Sequence, residues 1–549
     1  MLRRRFWPLP LFIFAGLVAA FAIGALVYAF GTVERPRPGG AYVEGIAGSP
    51  LSLNPLFASF NDPDRDISKL LFSGLTTLDR DGMVLPDLAD KWDIAGDGKS
   101  YTFHLRPGVR WHDGRSFSPE DVVFTYRFLQ TKETQVDPDL TALWQGIKVE
   151  KADAESVRFV LDQPYAPFLA YTTIGILPQH LLQDVAPKDL AKTGFNARPV
   201  GSGPFKIKDV AVDQVTLEAN PDYYAGRPYL NTMTFRFFRD DQALASAIAA
   251  NQVNGGLLRS TVGKDAIALV GQNREMVLRA MPRTSYSVLF LNTQSALFKS
   301  KTVRQALAYG INQEALVERV AGGLGVVAES PIPQDSWAYN PNAKRYPYDP
   351  VKAAQLLESE GWKLNANGVR EKDGQPFKLA LLTNDDKLRV AAGEELVRAL
   401  RRVGIQGELA ASGPTGLAQN FLIPRKYDAI LYGIDPGYDP DPYPLWHSSQ
   451  ATADGLNVSG FSNQQTDELL EKARTTTDVA QRKKLYDQFQ DAFEEEMPSV
   501  LLYHPVYTYA QDRRLRNVRL GVLYDTSSRF FNVREWFMET QRVWNPGRG

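Results

Sequence analysis

Cysteine is absent from all 549 residues, which excludes disulfides, thiolate metal sites and a cysteine nucleophile together. Histidine is scarce. The five, His104, His112, His180, His447 and His504, are far apart and none stands four residues from another, so ligand spacing for a bound metal is missing. No metal and no cofactor are expected. Surplus charge is missing too: 62 Lys+Arg face 63 Asp+Glu, leaving no basic excess to neutralise phosphates and no case for a nucleic-acid partner. There is no Walker motif, no Gly-X-Ser-X-Gly elbow and no internal repeat, which removes the common nucleotidase, serine-hydrolase and solenoid classes. Asp439 and Asp441 remain as an acid and base for a secreted hydrolase. Pro440 separates them, nothing marks a shared site, and no catalytic residue is assigned.

What is present is ample core material, 44% hydrophobic and 11% aromatic, spread over a chain too long for one core. Arg3, Arg4 and Arg5 precede an uncharged run from Phe6 to Val33. Its helical part, residues 11–33, would be about 34 Å long, enough to cross about 30 Å of hydrocarbon. The flanking arginines would keep the N-terminus cytoplasmic and place the rest outside the cytoplasm, in the periplasm or beyond the cell. Residues 1–33 are therefore expected to be a transmembrane anchor; a cleaved signal segment ending near Ala29 is the alternative. Residues 34–40, rich in Pro and Gly, have the composition of a polar spacer.

The remainder alternates strand and helix signals, an α/β or α+β pattern. Tyr101, Phe103 and Leu105 alternate with polar residues, the period of a half-buried strand. Shorter strands are expected near 157–161, 214–217, 377–382 and 428–432. Asn312 is placed to cap a helix carrying Leu316 and Val320, after one carrying Val303 and Leu307. Leu388, Ala392, Leu396, Leu400 and Val403 form one helical stripe ending at Gly404. Asp478 is placed to cap a helix that Pro498 ends.

Between residues 71 and 129 stand Pro86-Asp87-Leu88-Ala89, Trp92, Asp97-Gly98, Gly108-Val109, Trp111-His112-Asp113-Gly114 and Glu120-Asp121-Val122-Val123. In order and spacing this region resembles the signature of the family 5 solute-binding receptors of ABC importers, which take up oligopeptides, dipeptides and nickel chelates. Ser52-Leu53-Asn54-Pro55, residues 199–205, Asn220-Pro221-Asp222-Tyr223-Tyr224 and residues 303–307 and 348–354 extend the likeness. The resemblance implies a periplasmic-binding-protein-like α/β fold, with no chemistry done on the ligand and ABC permease subunits as partners. Two lobes would close on a peptide or another small solute about a hinge. Lobe I would comprise residues 41–74, 199–281 and 512–549, an extra subdomain residues 75–198, and lobe II residues 282–511. An oligosaccharide or nickel-chelate ligand is the alternative.

The resemblance also marks Asp435 as the carboxylate for a peptide's α-ammonium, a charge-assisted bond in a closing cleft. Asp439 is its rival, and both are equally placed to cap turns beside Pro436 and Pro440. An extended ligand would lie between the segment at Asn54 and the one at Gly433. Tyr432, Tyr438, Tyr443, Trp446 and Trp337 are the aromatic candidates for pocket walls or for core. Trp111-His112-Asp113-Gly114 and the glycines at 201 and 203 read as scaffold turns.

Overall fold

The computed structural model describes residues 13–22 and 31–544. Most of the expected span, residues 1–12 and 23–30, lies outside the described residues. Among those described, no helix is long and apolar enough to cross a membrane. Residues 13–22 are helical and present Ile13, Phe14, Leu17, Val18 and Phe21 to solvent. The expected spacer is corrected: Thr32–Pro36 is a strand, paired antiparallel with Thr540–Trp544 from the other end of the chain. A Pro/Gly-rich composition predicts a free linker, yet Pro36 is the last residue of the strand and a two-stranded ribbon has only edge strands, where proline is tolerated.

One twelve-stranded mixed sheet organises the molecule. Across hydrogen-bonded neighbours it runs Gln406–Ser412, Lys378–Asn384, Ala429–Ile434, Tyr286–Leu291, Ser499–Asp512, Gly255–Leu258, Ala41–Ala47, Thr232–Phe238, Gln214–Ala219 and Phe205–Val210. The 14-residue strand Ser499–Asp512 joins the two ends of this order. Its residues 499–505 pair with Tyr286–Leu291 and Gly325–Val327, and residues 506–512 with Met276–Pro282 and Gly255–Leu258. The chain also passes between the halves at residues 283–285, between adjacent strands that pair with different parts of that long one.

Each half has its own apolar core. Leu289, Leu307, Leu381, Leu396, Leu431 and Leu502 fill one in the second half. In the first half, Tyr42, Leu70, Phe235 and Trp536 share a core with Tyr101, Phe103, Phe159 and Trp144 of the 75–198 region. That region adds a four-stranded antiparallel sheet, in which Ser100–Leu105 buries alternate residues. A buried ion cluster binds the ends of the first half together: Arg529 donates to Glu44 at 3.0 Å and to Asp66 at 2.6 Å. All three are under 3% exposed. Burial works against the charged guanidinium of Arg529, and Asp66 and Glu44 more than offset it, raising its pKa.

Local signals explain the helices. Asn312 accepts from the Ala315 amide and Asp478 from that of Gln481, satisfying donors left free at a helix start. The stripe through Leu396 and Leu400 is the buried face of Lys387–Arg402, followed by Gly404 at φ +83°. The last helix stops differently than expected. Met497, not Pro498 alone, breaks it by adopting φ +45°.

Candidate functional site

The second half presents a polar edge to the first because of strand direction. Lys378–Asn384 and Ala429–Ile434 are parallel neighbours, and Tyr286–Leu291 runs against them with Tyr286 opposite Ile434. The ends of two strands and the start of a third therefore meet at one edge, carrying Asn384, Arg389, Gly433, Asp435, Arg283 and Thr284. Carboxyl ends of parallel strands are the common place for a ligand in open α/β sheets.

Several polar atoms at this edge are buried without a hydrogen bond among the described residues: Asn384 Oδ1, Arg389 Nη1, Arg283 Nε and Thr284 Oγ1. Ser59 Oγ and Tyr524 Oη on the first half are in the same condition. Nearly all buried polar groups in folded proteins are paired, so such a concentration marks a place where another molecule's polar groups can enter. Arg389 lies over the Tyr432 ring, 5.6 Å from its centroid. A side chain at Gly433 would collide with Arg389 Nη2, 2.0 Å from the Cβ position. Glycine at 433 thus admits the guanidinium.

Asp435, the expected ammonium acceptor, is on this edge with its side chain about half exposed, and Arg283 Nη2 donates to it at 2.9 Å. Tyr438 bridges the halves: its hydroxyl donates to Asp525 at 2.5 Å. Burial opposes the charged form of Asp525, but Arg65 at 4.0 Å and the hydrogen bonds from Tyr438 and Ser527 outweigh it, holding its carboxyl below the ordinary range. Beside this contact is a cavity of about 280 Å³, lined by Phe72, Tyr171, Tyr438, Tyr524, Phe531 and Arg65 among others. It is near the lower end of ligand cavities, about 300–1,000 Å³.

Other expected residues are committed elsewhere. Asp439 takes a two-pronged pair from Arg482, at 2.7 and 2.6 Å, with both residues buried. Asp439 is thereby corrected from ligand carboxylate to structural counter-ion. Trp337 covers that pair, its ring 5.7 Å from the Arg482 guanidinium. Asp441 is tied to Arg474 at 2.7 Å, so the two carboxylates serve separate arginines and form no acid–base pair. Asn54 is fully buried, donating to Asn196 and accepting from the Leu56 amide. Trp446 is fully buried against Phe290 and Phe493. Tyr443 stacks on His447 with centroids 4.1 Å apart. Sequence reasoning missed Arg65, Arg283, Arg389, Tyr524 and Asp525, because their neighbours at the site are remote in the chain.

The signature turn is scaffold in this structure. Trp111 is buried, and Gly114, at φ +88°, donates to the Trp111 carbonyl. His112 is a clamp: its Nδ1 accepts from the Gly201 amide at 3.1 Å and its Nε2 donates to the Gly203 carbonyl at 3.1 Å. Burial drives its pKa down to about 4.

A family model described as "Bacterial extracellular solute-binding proteins, family 5 Middle" matches residues 84–455. The chain belongs to this family. It is 32% identical to the oligopeptide-binding protein AppA of Bacillus subtilis, over 92% of each chain. It is 28% identical to the dipeptide-binding protein of Escherichia coli, over 83% of this chain and 88% of that one. Among solved structures, AppA in complex with a nonapeptide superposes with a TM-score of 0.67 at 30% identity, over 92% of this chain and 100% of that one. NikZ from Campylobacter jejuni, in complex with Ni(L-His), does so at 0.68 with 28% identity, over 90% and 99%. Family membership makes the chain an extracellular solute-binding protein with a periplasmic-binding-protein-like α/β fold.

Proposed function

We propose that this family 5 chain captures short peptides between its two halves and delivers them to the permease of an ABC importer, without altering them. The observation that carries the reading is the set of unpartnered buried polar atoms at the junction, with Arg389 and Asp435 of opposite charge on one strand-end edge. A zwitterionic peptide presents a carboxylate and an ammonium. Arg389 supplies donors for the first in fork geometry, and Asp435 receives the second in competition with Arg283. Tyr432, Tyr438 and Tyr524 supply apolar faces for side chains. Asn384 and Thr284 are free to bond the peptide backbone, which makes recognition tolerant of sequence. The relatives' names, oligopeptide-binding and dipeptide-binding, support the ligand class.

A two-lobed division is supported by the two cores and by the crossings at residues 283–285 and within Ser499–Asp512, where residues 506–511, expected in lobe II, pair with strands of the first half. Closure about those crossings would sequester the ligand. We also assign the N-terminal segment as a membrane anchor, supported by its uncharged run from Phe6 to Val33 and by the exposed apolar side chains of residues 13–22. The test is mass spectrometry of what co-purifies with the chain, followed by calorimetry with synthetic di- and tripeptides. Saturable binding with the peptide recovered intact, lost on N-acetylation of the peptide, is expected. Recovery of an oligosaccharide or a nickel chelate, with no peptide binding, would overturn the ligand assignment.

A further inference from the structure

A second cavity, of about 490 Å³, lies wholly in the second half and shares no lining residue with the one at the junction. Its walls come from the start of the Gln313–Val320 helix, from residues 345–348 and from the end of the Val479–Glu496 helix, with Phe493, Met497, Val500 and Leu501 as an apolar side. Arg345 is the one Arg or Lys among its described lining residues, and it is already engaged. Its Nε pairs with Glu329 at 3.2 Å, and its Nη2 donates to the Tyr339 hydroxyl and the Asn340 carbonyl. Three carboxylates line the same space, Glu314, Glu329 and Glu494, so the wall has an acidic excess.

Glu494 is the unusual one. It is 4% exposed, yet its carboxyl receives no hydrogen bond or ion pair from any described residue, although its backbone carbonyl accepts from Tyr346 Oη at 2.6 Å. It sits in the last turn of its helix, where the negative end of the macrodipole disfavours an anion. A buried carboxylate in this position is costly unless a cation meets it; burial pushes its pKa up to about 8, with Arg345 and Lys344 opposing the rise and Glu329 and Asp491 adding to it. The Tyr346 ring already holds one ammonium, Lys344 Nζ at 4.8 Å from its centroid, as an aromatic face attracts a cation, and Glu314 stands exposed on the wall.

We propose that this cavity binds a small organic ammonium ion, with Glu494 as its buried counter-ion. The site is independent of the peptide reading: it is separate from the junction and either can fail alone. Calorimetry of the full chain with 1,4-diaminobutane tests it, with butanoate as the control of opposite charge. Saturable binding of the diamine, at least tenfold weaker in Glu494→Gln, and none of butanoate, is expected. Burial favours the protonated Glu494 carboxyl before binding, so docking of the ammonium should release a proton. The heat then varies with the ionisation enthalpy of the buffer. Hydrogen exchange should slow at residues 313–320 and 490–497. Absence of binding, equal binding by Glu494→Gln, or protection at residues 433–439 instead would overturn the proposal. If Glu494→Gln does not fold, unchanged hydrogen exchange at residues 490–497 of the unaltered chain under saturating diamine overturns it.

Discussion

Asp435 and Asp439 are four residues apart in one proline-rich loop, and their surroundings give them opposite roles. Asp439 is buried with Arg482, so Asp439→Ala leaves an unpaired guanidinium in the core. Loss of about 3–5 kcal/mol in denaturant melts is expected, as for other broken buried pairs. Asp435 is about half exposed, although Arg283 beside it is mostly buried, and a pair that water reaches contributes about 1 kcal/mol or less. Asp435→Ala should therefore melt close to the unaltered chain while weakening peptide binding at least tenfold by calorimetry; equal affinity would remove Asp435 from the site. His112 makes a pH prediction with a definite sign. Its pKa is near 4 folded and near 6.5 unfolded. Between those values the unfolded chain takes up a proton that the folded one refuses, so stability rises with pH across that window. It is lost as the medium is acidified, by about 3 kcal/mol at most, and His112→Gln should flatten this dependence in melts at pH 4 to 7.

At the scale of elements, legibility followed the range of the interaction. The caps at Asn312 and Asp478 were readable because a cap and the amide it holds are three residues apart. The strand at Ser100–Leu105 was readable because its alternation is internal. The Thr32–Pro36 strand was not, since its partner is Thr540–Trp544, and a spacer composition says nothing about an edge arriving from 500 residues away. That ribbon has two strands and gains little stability alone. Deleting residues 540–549 should speed hydrogen exchange at residues 32–36 while leaving the Ser499–Asp512 strand protected; unchanged exchange would mean the ribbon is not what orders this segment. By ordering it, the ribbon holds the segment that follows the apolar N-terminus against the folded body.

At the scale of the whole molecule, the halves are joined through residues 283–285, the long strand Ser499–Asp512 and the contact of Tyr438 with Asp525. Peptide binding should draw them together, lowering the radius of gyration in X-ray scattering, and Tyr438→Phe should shift the unliganded chain toward more open forms. Scattering unchanged by a saturating peptide would argue against closure.

Local chemistry in the chain specified the helices, their caps, the half-buried strands and a family signature, because each depends on residues within a few positions of one another. Family membership in turn implied the general architecture. The partners of the charged groups came from folding: Arg482 lies 43 residues from Asp439, Arg283 lies 152 from Asp435, and Arg529 lies 485 from Glu44. Whether a carboxylate is free for a ligand depends on which cation packing brings beside it and how much water packing removes, and neither is encoded in the neighbouring residues.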